Sequence, residues 1–282
     1  MNPFKAETLA NSIRKKGLRR LPRPKKIIYP KHLESAYQKI LDQFVEKLFE
    51  KVDQRLVPKL KGLTEQIAKE RGVNIKLDSY SDDVANIMAS IGVEFEREYS
   101  DAEIRALARR TGKSVDVWNE RQVSGSLGSV VDVDLFGREP WLASELDAFV
   151  IENVSLIKNV KEEFAKNVQD KTIRALGEGR RWEEIAGDIF DTYEVSKSRA
   201  NLIARDQVGK LQGQLTELRQ KEIGIDEYIW RTAGDGRVRE SHQANEGKTF
   251  KWSDPPATGH PGQDYQCRCY AEPVLSKFLP DL

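Results

Sequence analysis

The sequence has little cysteine, little histidine and no long apolar run. Two cysteines in 282 residues cannot build a disulfide framework. No stretch of about 18 apolar residues occurs, which excludes a membrane-spanning helix. The chain is charged from Lys5 onward with no apolar stretch before a cleavage site, so no secretory signal is expected. A Gly-rich phosphate loop, an H-E-x-x-H pair and a G-x-S-x-G elbow are all missing. So are helix-turn-helix and zinc-finger spacings, which disfavours a plain DNA-binding regulator. A formal net charge of +1 excludes a uniformly basic nucleic-acid binder.

What is present is unevenly distributed. Ten of the Lys and Arg residues fall in residues 1–31, against Glu7 as the one acid there; the remainder holds 36 basic and 44 acidic side chains. The total hides a basic arm on an acidic body. The arm carries Arg14, Lys15, Lys16, Arg19, Arg20, Arg23, Lys25 and Lys26. Pro22, Pro24 and Pro30 interrupt helix there, which predicts a flexible arm. Such an arm either lies on phosphate backbone or an acidic protein surface, or is a solvated tail.

Length predicts about two domains. From His32 to about Arg71, Tyr37, Ile40, Leu41, Phe44, Val45, Leu48, Phe49 and Val52 form one helical stripe, with a kink or break at Pro58. Ser81 is a candidate cap for the next helix, whose apolar face is Val84, Ile87, Met88, Ile91 and Phe95. Ser100 to Glu103 is a capping box. Thr111-Gly112 predicts the end of that helix, with a short one following through Val115 and Trp118. Residues 124–140 read as a loop and a possible sub-boundary. Helix resumes from Trp141 to about Leu176 and breaks at Gly177-Glu178-Gly179. A short helix through Trp182 and Phe190 and a long one from Val195 to about Glu222 complete a helical body over 32–224.

After Gly224 the pattern changes. Tyr228 to Thr232, Thr249 to Trp252 and Cys267 to Ala271 are strand candidates, with a short helix over Arg237 to Asn245. The predicted fold is therefore mainly α: a helical N-terminal body with a small C-terminal α+β module over 225–282. So small a module needs a staple or a neighbour.

The rare residues gather in that module. His242, His260, Cys267 and Cys269 lie within 28 residues. Two imidazoles and two thiols make a tetrahedral zinc set by count, and structural zinc supplies folding energy. On a strand, Cys267 and Cys269 would share a face. The C-x-C spacing is not the usual C-x2-4-C, and His242 and His260 do not match H-x3-5-H. Two other readings stand beside structural zinc. In one, both thiols are core residues and His242 bonds locally. In the other, His242 is a general base with Arg237 or Arg239 as anion clamp, as in a nuclease or nucleotidyl-type transferase.

The order of residues in the module resembles a known family. Trp230-Arg231-Thr232, Asp235-Gly236-Arg237-Val238-Arg239, Ser241-His242, Gly247-Lys248-Thr249-Phe250, Pro261-Gly262 and Cys267-Arg268-Cys269 are similar to the C-terminal domain of phage Mu F-like minor head proteins, the bacteriophage head-morphogenesis family. Ile203-Ala204-Arg205-Asp206 and Gly224-Ile225 resemble the lead-in, with Asp206 where the family often has Glu. The likeness covers about residues 180–273. It implies a low-copy virion protein assembled in the host cytoplasm and held inside the head near the portal vertex. The implied partners are the portal protein, packaged double-stranded DNA, and scaffold or other head proteins, with no membrane. It brings no secure enzymatic activity, and in bacteria the module also occurs fused to toxin domains as a delivery or docking unit.

Overall fold

The computed structural model describes residues 2–16, 21–70, 77–128, 135–137 and 139–278. Among them are eight α-helices and one three-stranded antiparallel sheet near the C-terminus. The helices are α1 (Pro3–Lys15), α2 (Lys31–Arg55), α3 (Val57–Glu70), α4 (Leu77–Glu98), α5 (Asp101–Leu127), α6 (Leu142–Gly177), α7 (Trp182–Glu222) and the short α8 (Glu240–Gln243). The strands β1 (Glu227–Arg231), β2 (Thr249–Lys251) and β3 (Tyr270–Pro273) run in the order β2-β1-β3. The mainly α fold with a small α+β module is what the pattern predicts. No helix among the described residues is long and apolar enough to cross a membrane.

The chain divides into two compact units. Residues 1–34, 109–149 and 205–282 form one, and residues 35–108 and 150–204 the other. This partition differs from a helical body over 32–224 followed by a module over 225–282. Long helices contribute residues to both units, so a boundary drawn along the chain does not follow the packing.

The second unit is helical throughout. Tyr37, Leu41, Phe44, Val45, Leu48 and Val52 of the predicted stripe are buried, as are Val84, Met88, Ile91 and Phe95. The rings of Phe44, Phe95 and Tyr99 contact one another, and the buried Tyr37 hydroxyl donates to Asn153 Oδ1 at 2.8 Å. Helix α2 gives way to α3 beside Pro58. The Ser100 to Glu103 box forms as predicted: Ser100 N donates to Glu103 Oε2 at 2.7 Å and Glu103 N to Ser100 Oγ at 3.4 Å. Helix α4 starts at Leu77, so Ser81 lies inside it rather than at its cap.

Two predicted breaks are absent. Helix α5 runs through Thr111-Gly112. A Cβ on Gly112 would sit 3.0 Å from Phe149 Cδ1, so this glycine serves a close packing contact instead of a stop. Helix α7 is continuous past Phe190, because nothing between Asp191 and Glu194 breaks helix and Thr192 Oγ1 donates back to Asp188 O at 2.7 Å.

In the first unit the N-terminal segment is packed. Asn2 caps α1 by accepting from Phe4 N at 3.1 Å, and Pro3 occupies the first turn. Leu9 and Ile13, one turn apart, are buried in a cluster with Ile27, Val123, Leu127, Leu135, Phe136, Ile223, Ile225, Leu275 and Phe278. Lys5 pairs with Glu222 at 3.0 Å, and Arg23 reaches the buried Glu272 at 3.1 Å. The flexible-arm expectation for residues 1–31 is therefore corrected for the described residues 2–16 and 21–31, which pack against the rest of the unit; residues 1 and 17–20 lie outside the described residues. The 124–140 stretch is likewise divided. Helix α5 extends to Leu127, and Leu135 and Phe136 are core residues. Residues 129–134 and 138 lie outside the described residues.

Candidate metal centre

The sheet supplies one wall of the site. Tyr228 and Trp230 of β1 are fully buried and pair in register with Phe250 of β2 and Ala271 of β3. Alternation along β1 turns both rings to one face, where Trp252 joins them. The strands fall within a residue or three of their predicted bounds, but β3 begins at Tyr270. Cys267 and Cys269 therefore lie in the approach to the strand, not on its face.

Helix α7 supplies the opposite support, through residues that resemblance alone singled out and three that nothing singled out. Asp206 Oδ1 accepts from Gln266 N at 2.8 Å, and Arg205 Nη1 donates to Gln266 Oε1 at 3.1 Å. Gln266 is held at φ 54°, the left-handed conformation found at no other non-glycine among the described residues. One turn apart on α7, Gly209 and Gly213 let the loop lie on the helix backbone. A Cβ on Gly213 would sit 2.5 Å from Pro261 O, and one on Gly209 would sit 3.0 Å from Cys267 O. Gln220 completes the clamp by donating to Ala271 O at 3.0 Å and accepting from Trp252 Nε1 at 3.3 Å.

These supports bring three predicted ligands together. His242 Nδ1 is 3.6 Å from Cys267 Sγ and 3.5 Å from Cys269 Sγ, and the three donor atoms lie within 4.8 Å of one another. His242 is 2% exposed and Cys267 5%. Each donor is held from behind. His242 Nε2 is 2.9 Å from Asp264 Oδ2, which also accepts from Arg239 Nη1 at 2.9 Å. The Gly262 N–H points to Cys267 Sγ at 3.4 Å. The buried Trp230 indole N–H has no oxygen or nitrogen acceptor and favours the thiolate form of Cys269, as does the Ala233 N–H.

The electrostatics fit ligand chemistry. The Cys269 thiol and then the Gly262 N–H pull Cys267 down to about 6, against burial, with His242 adding to the effect. Cys269 is pushed up, first by its hydrogen bond to Cys267 and then by burial. Burial raises the Asp264 carboxyl, but the Tyr265 N–H, His242 and Arg239 outweigh it and hold the group below the usual carboxylate range. A carboxylate on the far nitrogen of a ligating histidine fixes which nitrogen faces the metal. Two thiolates and an imidazole suit zinc.

His260, the fourth predicted ligand, is not part of this group. Its Nδ1 is 2.8 Å from the Tyr228 hydroxyl, its ring packs on Trp252 at 4.8 Å, and burial pushes its imidazole below the ordinary value. It is a buried core histidine held by the Tyr228 hydroxyl and packed among aromatic rings.

The remaining predicted residues separate. Arg237 is largely exposed and 3.6 Å from Asp235, and Arg268 pairs with Asp235 at 2.8 Å. Both ring nitrogens of His242 are engaged, Nε2 by Asp264 and Nδ1 by the two thiols, and Arg237 and Arg239 pair with Asp235 and Asp264. Gly247, at φ 77°, makes the turn that places its N–H on Trp230 O at 2.9 Å. Of the basic segment, Arg14, Lys15, Lys25 and Lys26 are exposed, while Arg23 pairs with Glu272. Lys16 is half-buried, and Arg19 and Arg20 lie outside the described residues.

Asp264, Gly209 and Gly213 were not evident from the sequence. The helical i, i+4 spacing of the two glycines was the available signal.

Residues 166–272 match the family model described as Phage Mu protein F like protein. A Haemophilus influenzae protein named only as uncharacterized is 37% identical over 164 residues, 57% of this chain and 37% of that protein. An Enterococcus faecalis protein named NAD(+)--arginine ADP-ribosyltransferase EFV is 24% identical over 245 residues, 73% of this chain and 49% of that protein. The chain thus spans less than half the length of each of these relatives. No solved structure matches. The matched region runs from α6 to β3 and contains His242, Cys267 and Cys269 together with the α7 residues that support them, so over residues 166–272 the chain is similar to the Mu F-like phage head-morphogenesis proteins.

Proposed function

We propose that the chain is a minor head protein that docks on the portal inside the phage head and contacts packaged DNA, with a zinc ion on His242, Cys267 and Cys269 stapling the C-terminal sheet to its loop. The family match over residues 166–272 carries the head-morphogenesis part of this reading. Two features support the rest. The exposed cations Arg14, Lys15, Lys25 and Lys26 suit phosphate contact. The donor cluster suits a structural metal, because a three-stranded sheet of short strands has little core of its own.

A non-enzymatic role is the better fit, since the family whose model matches residues 166–272 is a head-protein family. The transferase name of the Enterococcus faecalis relative belongs to a protein about half of which lies outside the match. A docking or delivery module shared with a separate catalytic segment accounts for that likeness.

Co-purification with the portal protein tests the docking. Co-elution with the portal ring on size-exclusion chromatography is expected, and separate elution at assembly concentrations would remove portal docking from the reading. Incubation with RNA, single-stranded DNA and duplex DNA, with and without divalent metal, tests the nuclease alternative. Cleavage lost in His242→Ala but not in His32→Ala would favour the enzyme.

A further inference from the structure

The three donors leave one side open. Tetrahedral zinc takes four ligands, and among the described residues no fourth His, Cys, Asp or Glu joins the group. His242, Cys267 and Cys269 instead line a cavity of about 190 Å³ whose other walls carry four arginines: Arg205, Arg237, Arg239 and Arg268.

Charge in that cavity is not balanced. Asp235 answers both Arg237 and Arg268, at 3.6 and 2.8 Å. Asp264 answers Arg239 at 2.9 Å. Glu34 answers Arg205 at 3.3 Å but is shared with Lys31 at 2.6 Å. Three carboxylates thus serve five cations. A zinc ion on two thiolates adds no net charge, so the excess remains. A second cavity, of about 290 Å³, shares Arg205, Arg237 and Arg268 as walls and adds Lys26 and Lys31. The cationic lining therefore continues from the donor cluster to the basic N-terminal segment.

We infer that this cavity binds a phosphate oxyanion, with one oxygen at the open metal position and the others on the arginines. Guanidinium forks match phosphate geometry, and their hydrogen bonds to an anion are the strong ones. The continuation toward Lys26 fits a phosphodiester chain as readily as free phosphate, because a second phosphate would meet the next cations in line. The coordination half of this inference rests on the metal reading above; the arginine half does not.

Cobalt(II) loading of the full-length protein separates the two halves. Cobalt in a site of two thiolates and one imidazole absorbs in the visible, and phosphate entering the open position shifts those bands. The expected results are a band shift on adding inorganic phosphate, and calorimetric phosphate binding about tenfold weaker in Arg237→Ala with cobalt stoichiometry unchanged. The exposed Arg237 is chosen because its loss spares the fold, and Arg268→Ala supplies a second reading. Phosphate affinity unchanged in both variants overturns the cavity proposal whether or not cobalt loads. Failure to take up cobalt overturns the metal reading, and phosphate binding that still depends on Arg237 then upholds the cavity alone. A short single-stranded oligonucleotide at the same ionic strength identifies the source. Competition with phosphate that weakens in Lys26→Ala marks a phosphodiester chain, and its absence marks a free oxyanion.

Discussion

Two buried polar clusters of the same unit are built differently. Around Arg219, which is fully buried, the protein supplies every partner. Asp116 Oδ1 accepts at 2.6 Å, Glu139 accepts two hydrogen bonds at 2.8 and 2.7 Å, and Asn119 Oδ1 accepts at 2.7 Å. Around His242 the protein brings three ligand atoms to within 4.8 Å of one another. With Lys113 on Asp116 at 2.7 Å, the first cluster balances two carboxylates with two cations of its own. The second, on the reading proposed above, would be closed by an ion. Burial of charge is common to both and diagnoses neither; convergence of ligand atoms, each supported from behind, separates a site from a strut.

The contrast breaks most sharply at Arg219. Arg219→Ala leaves the buried Glu139 without its cation and Asp116 with Lys113 alone, and a loss of about 3–5 kcal/mol is expected in chemical denaturation. That loss should be the same with and without a chelator. A chelator-dependent loss would mean that the two clusters are one.

Gly213→Ala attacks the other cluster through its support. The added Cβ meets backbone, Pro261 O, so the loop must move; about 1–3 kcal/mol of destabilisation is expected. Here the loss should come with weaker metal retention, measured by competition with a colorimetric chelator. Retention at the level of the unaltered protein would show that α7 does not position the cysteines.

Asp264→Asn keeps the shape and removes the charge behind His242. Metal affinity should fall about 10–100-fold, and little stability should be lost once the chelator has been added. The smallest effect is expected at the surface. Arg23→Ala leaves Glu272 with Arg231, which donates to it at 2.8 and 3.1 Å, so a cost under about 1 kcal/mol, shrinking with added salt, is predicted from thermal unfolding.

Much of this was legible in the residues. Helical stripes, the Ser100 box, the Pro58 break and the three short strands follow from periodicity and local chemistry. What was not legible depends on partners distant in sequence. Gly112 reads as a stop until Phe149 is laid across it. Residues 1–31 read as an arm because their prolines and cations dominate, although Asn2-Pro3 and the Leu9/Ile13 pair announce a capped, one-sided helix. In the candidate centre, His242, Cys267 and Cys269 were marked by rarity, not spacing. His260 was drawn in by the same rarity, and only the buried rings of Tyr228 and Trp252 show where it belongs. Asp264 is one acid among 45, and nothing local distinguishes it from the rest.

The most direct test of the central claim is the metal content of the purified full-length protein after dialysis against a weak chelator, read by elemental analysis beside its unfolding curve. About one zinc per chain is predicted, lost in Cys269→Ser but kept in His260→Gln. Less than about a tenth of an equivalent in a sample that still unfolds cooperatively would contradict the metal centre.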